Sequence, residues 1–375
     1  MPAALRAITG LAFSGMLLSF PATAQPSAPA ILGEMQRVAD WELAHLDEAA
    51  APPSLNAQEP LGWMRSAFYA GLTALADRSA DPRYADAIFR LGARERWQLG
   101  PRIFHADDQL IAQTWIWAFG RRHEAQMIAA TRQRFDAIIK ANPSGSLLMS
   151  EPDICTRRWC WSDALFMAPP GWIALSGVTR DPRYLAYADK EYRASAALLF
   201  DPDQSLFYRD SSFKGRSGAD GRKLFWSRGN GWAYAGLARI LAALPPDSPS
   251  GPFYRDLFLR MSRKIARLQK PGGCWPPSLL DRRKDTPPET SGTGLFTFGL
   301  AWGVKAGLLP ERPYRAAAEQ GWSCLADAVN ADGRLGWVQS QSDRPDSVQK
   351  QDTQSYGAGA FLLAGSALYD LATHR

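Results

Sequence analysis

Histidine and cysteine are scarce in this chain, with four of each in 375 residues. His45, His105, His123 and His374 share no ligand spacing with each other or with the cysteines. No zinc site is therefore expected, and no metal or other cofactor. Cys155 and Cys160 bracket a short loop and are the pair expected to bond if any does; Cys274 and Cys324 are the other two. No stretch beyond the N-terminus approaches the roughly 18 apolar residues that a membrane span requires. The formal charge is +6, yet no run of five or more basic residues occurs. Scattered charge argues against a nucleic-acid partner and fits an acidic small substrate as well. Strand-like alternation is rare, and no shift in composition marks a linker between domains.

What is present begins with a leader. Arg6 supplies a positive charge, Ile8 to Phe20 form a short apolar run, and Ala22-Thr23-Ala24 reads as a small-residue cleavage site before Gln25. This is the pattern of an export signal. Residues 1–24 are set apart as a signal peptide, and 25–375 are read as one domain of a periplasmic or secreted protein, free of the membrane once the signal is removed. Export also permits disulfides. Hydrophobic residues make up 46% and charged residues 21%, enough for a large core. Tryptophan stands out at 14 residues. Such rings either fill a core or offer flat faces to sugar rings.

The chain repeats itself. Asp81-Pro82-Arg83-Tyr84 recurs as Asp181-Pro182-Arg183-Tyr184, with looser copies at Gly251-Pro252-Phe253-Tyr254 and Glu311-Arg312-Pro313-Tyr314. Each copy follows a Gly- and Ala-rich apolar segment and opens a segment with charges on one face. The unit reads as a buried helix, a turn, and an amphipathic helix started by an Asp cap and a Pro. Units of about 50 to 60 residues give about six hairpins in two concentric rings, an all-α (α/α)6 barrel. A tetratricopeptide-type solenoid has shorter units, of about 34 residues.

In such a ring the loops before the inner helices converge on a central pocket, so polar residues there are the candidates. They are His105-Ala-Asp107-Asp108 before Gln113, Trp161-Ser-Asp163, Arg209-Asp210, Trp226-Ser-Arg228-Gly-Asn-Gly-Trp232, Glu289-Thr-Ser-Gly-Thr, and Asp352-Thr-Gln-Ser-Tyr356-Gly. Asp163 lies between Trp161 and an Ala-Leu-Phe-Met run, where desolvation would keep it protonated near neutral pH. It could equally cap the next helix. Of Asp107 and Asp108, one could cap while the other faces the pocket, with Asp107 the first choice. Arg228 offers a fork for a carboxylate, and Trp226 and Trp232 offer stacking faces. For Glu289 a cap role competes with substrate binding.

In combination and order these motifs resemble glycoside hydrolase family 105, the unsaturated rhamnogalacturonyl hydrolases, and more distantly the unsaturated glucuronyl hydrolases of family 88. The resemblance spans roughly 60–365 and includes Trp161-Ser-Asp163-Ala-Leu-Phe-Met-Ala-Pro-Pro170 and Leu206-Phe-Tyr-Arg-Asp210; Ala112 stands where the family has a glycine. It implies the (α/α)6 fold, Asp163 as general acid and base, and Asp107 as the second carboxylate. Asp108, Gln113, Trp161, Arg209, Trp226, Arg228, Trp232 and Glu289 are the expected substrate contacts. The implied substrate is an oligosaccharide that a lyase has left with a 4,5-unsaturated uronyl end, with a galacturonyl residue from rhamnogalacturonan as the default. Two other readings stay open: an inverting glycosidase acting on saturated sugars, and an exported oligosaccharide-binding protein without catalysis.

Overall fold

The computed structural model describes residues 26–46, 59–218 and 220–373. The signal-peptide assignment lies outside these residues. The helices are α1 (Ala28–His45), α2 (Trp63–Ala76), α3 (Arg83–Arg94), α4 (Ala112–Arg122), α5 (Gln126–Ala141), α6 (Pro152–Cys155), α7 (Ala164–Met167), α8 (Pro169–Thr179), α9 (Pro182–Leu199), α10 (Ser227–Ala243), α11 (Gly251–Leu268), α12 (Thr290–Lys305), α13 (Glu311–Asp327) and α14 (Ser355–Thr373). Two 3-10 turns, Ala106–Gln109 and Ser211–Phe213, and two short antiparallel strands, β1 (Phe200–Asp201) and β2 (Leu206–Phe207), complete the described regular structure.

The contacts between helices define two rings. The inner one runs α2, α4, α8, α10, α12, α14 and back to α2, each helix touching the next. Outside them lie α3, α5, α9, α11 and α13, each packed on the inner helix that precedes it in the chain. The sixth outer helix is α1, which packs on α14 and so closes the circle between the two ends of the chain. This is the expected (α/α)6 barrel. No described helix is long and apolar enough to cross a membrane.

Sequence explains the division into rings. Helices α12 and α14 are buried on nearly every side, whereas α9 and α11 bury one stripe and expose the other. Glycine lets inner helices touch through backbone: a Cβ on Gly71 would lie 2.4 Å from the carbonyl oxygen of Gly359 on α14. The Asp-Pro-Arg-Tyr repeat has one local job in both copies. Asp81 and Asp181 each accept the amide of the Arg two residues on at 3.0 Å. Tyr84 and Tyr184 then donate to Asp40 and Asp136 on the preceding outer helix, at 3.1 and 3.0 Å. The repeat thus ties successive hairpins together.

Tryptophan is mainly core material. Nine of the fourteen are buried. Trp172 of α8 stacks on Phe135 of α5 at 3.9 Å and donates to Gln109 at 2.8 Å, joining the two rings. Truncating such a ring to Ala costs about 3–5 kcal/mol. Disulfides link Cys155 to Cys160, as expected, and Cys274 to Cys324. The second bond closes a 50-residue separation between the loop before α12 and the outer helix α13.

Candidate active site

The N-terminal ends of the inner helices gather the polar residues. Asp107 lies in a turn of 3-10 helix, Ala106–Gln109, just before α4. Asp163 immediately precedes α7, and its carboxylate makes no capping bond to that helix. The cap alternative is therefore not realised. Instead the Ser162 hydroxyl donates to the Asp163 carboxylate at 3.0 Å. The Ser162 amide donates to the Arg209 carbonyl at 2.7 Å, and Trp161 pairs with Asp210 in a short backbone bridge. This stitch carries Arg209, some forty-six positions on, to the side of Asp163.

Electrostatics couples the two acids. Burial pushes Asp163 above the usual carboxylate range, opposed first by the charge of Arg209 and then by that of Arg228. Asp107 is pushed up to about 7, chiefly by burial; Arg102 pulls it down, and the charges of Asp163 and Asp108 add to the rise. Near neutral pH the pair therefore retains a proton, the condition for general acid work. His105 lies 3.6 Å from Asp107 and packs against Trp161 with ring centres 4.9 Å apart. Burial, followed by the charge of Arg102, lowers His105 to about 4, so its imidazole is neutral here.

Several expected contacts have other work. Asp108 receives the Arg102 amide at 2.7 Å and its guanidinium at 2.8 and 3.0 Å, under Gly100. It anchors the turn, with 4% of its side chain exposed against 18% for Asp107. Glu289 is buried and caps α12, accepting from the Ser291 amide and hydroxyl and from the Gly292 amide at 3.1, 2.6 and 2.7 Å. Both its oxygens are spent, so the cap reading prevails over substrate contact. Gln113 is buried and donates to the Phe166 and Met167 carbonyls at 2.8 and 3.2 Å, fixing the turn after Asp163. Trp161 is 5% exposed and lies beneath His105.

The clamp expected of Trp226, Arg228 and Trp232 is corrected most. The two indoles are 2% and 1% exposed, too little to stack on a sugar. Trp226 donates to the Gln339 side chain at 3.0 Å, and the Arg228 guanidinium lies over its ring at 4.3 Å. Trp232 packs on Phe166. Arg228 itself is 1% exposed. Its terminal nitrogens reach the carbonyls of Gln339, Ser340 and Ser342, at 2.9 to 3.3 Å, and the Tyr356 hydroxyl. Arg228 thus fastens the loop that runs from 339 to 342. Arg209 is less committed: among the described residues its Nη1 alone bonds a side chain, at 2.7 Å from Asp210, and 21% of its side chain is exposed.

Two participants, Arg102 and Trp63, escaped the sequence reading, and a third, Tyr356, belongs to the Asp352–Gly357 candidate segment. Arg102 has no motif of its own and is recruited by Asp108. Tyr356, in the first turn of α14, donates to the Gln339 carbonyl and accepts from Arg228. Trp63, the first residue of α2, stacks on Tyr356 at 4.9 Å and is half-buried. Its place at the start of an inner helix was the signal that could have found it.

The Glycosyl Hydrolase Family 88 profile matches residues 34–372. The chain belongs to this family. It is 37% identical to the "Unsaturated 3S-rhamnoglycuronyl hydrolase" of Alteromonas sp. (strain LOR), across 93% of this chain and 88% of that protein. It is 33% identical to the protein of the same name from Formosa agariphila, across 98% of both. Among solved structures, a family 88 glycosyl hydrolase from Bacteroides vulgatus matches with a TM-score of 0.80 and 25% identity, over 92% of this chain and 99% of that one. As a family 88 member this protein is a glycoside hydrolase.

Proposed function

We propose that the enzyme releases a 4,5-unsaturated uronyl residue from the end of a rhamnose-containing oligosaccharide left by a polysaccharide lyase. One observation carries this reading: a half-buried, proton-retaining acid pair, Asp163 and Asp107, stands beside the partly open guanidinium of Arg209. A uronate needs a cation for its carboxylate, and an enol ether needs a proton donor. The names of the Alteromonas and Formosa relatives support the rhamnoglycuronyl class. Galacturonyl residues of rhamnogalacturonan, and with them a part in pectin breakdown, belong to the same reading.

In the proposed reaction Asp163 delivers its proton to C4 of the double bond. Electron density from the ring oxygen leaves a cation at C5. Water adds at C5 and gives up a proton to the Asp163 carboxylate, which regenerates the acid. The C5 hemiketal opens by breaking its bond to the ring oxygen, which leaves a hemiacetal at C1. That centre collapses to an aldehyde and expels the aglycone as an alcohol. Arg209 holds the uronate so that C4 faces Asp163, and the protonated neighbour Asp107 spares the site a second negative charge. One carboxyl group serves as acid and then base, so a second carboxylate at water-spanning distance, as inverting hydrolysis requires, is not called for.

The experiment is hydrolysis of an unsaturated rhamnoglycuronyl disaccharide, followed by loss of double-bond absorbance, in heavy water. Deuterium at C4 of the released keto sugar is the expected result. Equal cleavage of a saturated analogue would favour the inverting reading, and binding without turnover would favour a non-catalytic one. Export to the periplasm or medium is part of the proposal, since lyase products of large polysaccharides arise outside the cytoplasm.

A further inference from the structure

At the same rim, outside the acid pair, lies a cleft of about 640 Å³, within the usual size range of ligand clefts, about 300–1,000 Å³. Its walls come from the β1–β2 turn, the segment before α10, the last turns of α11, and the loop that leads to α12. Six cations line it: Arg222, Lys223, Lys264, Arg267, Lys270 and Arg282. The one carboxylate in the lining, Asp281, already binds Arg283 at 2.6 Å. Lys223 and Arg222 have acidic partners, Asp201 at 2.6 Å and Asp220 at 3.4 Å.

The other four cations have no carboxylate within ion-pair distance among the described residues. Lys264 donates to the Gln204 side chain at 2.8 Å, and Lys270 to the carbonyls of Asp281 and Arg283 at 2.6 and 2.8 Å. Arg267 and Arg282 are exposed. Burial first, and then the neighbouring charge of Arg267, push the Lys264 ammonium down, with Asp201 opposing them. Concave walls of one sign focus the field and draw in a counter-charge.

The cleft is wired to the active site. The Leu279 amide donates to the Phe225 carbonyl at 2.9 Å, and the Ser227 amide to the Pro277 carbonyl at 2.8 Å. These bonds bracket a backbone bridge between Trp226 and Ser278. The wall of the cleft is thereby continuous with the start of α10, which bears Arg228.

We propose that this cleft is a distal subsite for a carbohydrate chain carrying several sulfate or carboxylate groups, so that longer acidic substrates are held beyond the reacting uronyl end. The inference rests on reading the site as one for acidic oligosaccharides. Nucleic acid is the less favoured polyanion, because the lining holds Leu268, Leu279 and Leu280 but no aromatic ring on which a base could stack.

The test titrates the mature protein at low ionic strength with a fluorescent heparin hexasaccharide, a sulfated uronate oligomer. Wild type is expected to bind, and added salt to weaken it. Lys264→Glu/Arg267→Glu should raise Kd about tenfold or more, and the neutral Lys264→Gln/Arg267→Gln pair by less. Both variants should turn over the unsaturated disaccharide at the wild-type rate, which also certifies their fold. No binding by wild type, or equal Kd in the reversed variant, would overturn the subsite. Tighter binding of a single-stranded DNA oligomer of equal charge would overturn the carbohydrate assignment. Direct binding does not need turnover, so a failure of the catalytic reading shows up separately, as an inert disaccharide.

Discussion

Asp107 offers a sharp test, because its raised protonation has a thermodynamic consequence. Its carboxyl lies at about 7, against 3.8 for a free side chain. A shift of about 3 units corresponds to about 4 kcal/mol, an upper figure because 18% of the side chain meets solvent. The sign follows from linkage. The folded state holds this proton more tightly than the unfolded chain. The stability it contributes is therefore fully present below about pH 4 and is lost as pH rises to about 7. Asp107→Asn cannot ionise and keeps nearly the same shape. The neutral His105 and the charged Arg102 lie 3.6 and 3.7 Å away, beyond hydrogen-bond reach, so it forfeits little hydrogen bonding. Thermal unfolding of both proteins across pH 4 to 8.5 is the assay. The two Tm values should nearly coincide at pH 4 and separate as pH rises, with the variant about 2–6 °C higher above pH 7. A variant that is less stable at high pH, or a gap that does not change with pH, would refute the burial argument.

Four further outcomes are expected. Asp163→Asn should lower kcat by about 10²–10⁴-fold with the fold intact, as circular dichroism would verify; near-full activity would remove Asp163 from the reaction. Arg209→Ala should raise KM and lower kcat for a uronate substrate, and Arg209→Lys should restore only part of the loss, because the planar fork is gone; wild-type kinetics would return the carboxylate to another partner. Reduction of the Cys274–Cys324 bond should cost about 4 kcal/mol in the chain-entropy account of a 50-residue loop, read as a lower urea midpoint, and an unchanged midpoint would contradict it. N-terminal sequencing of the protein exported by its native host should start near Gln25, and full-length protein confined to the cytoplasm would defeat the leader assignment.

Much of the barrel was legible because the determinants are local. Asp81 and Asp181 act within two residues of themselves, and the alternation of wholly apolar and one-sided helices states which ring each belongs to. Asp163 was legible for a similar reason: a carboxylate set among Trp161 and Phe166 is anomalous wherever the chain goes. The sequence alone determined six hairpins, an acid at the rim, and the loops in which further candidates lie.

Tertiary structure decided which candidate was free to act. Along the chain Arg228 reads as the fork and Arg209 as a further contact, but packing commits Arg228 to carbonyls more than a hundred residues away. Asp107 and Asp108 are neighbours, and the closer grip of Arg102, through its amide and guanidinium on Asp108, separates the anchored one from the proton-retaining one. Trp226 and Trp232 have the composition of a sugar platform and the burial of a core. In each case the sequence supplies the functional group, but hydrogen-bond saturation and desolvation depend on distant segments. No local pattern encodes those partners, because the ring must close before they meet.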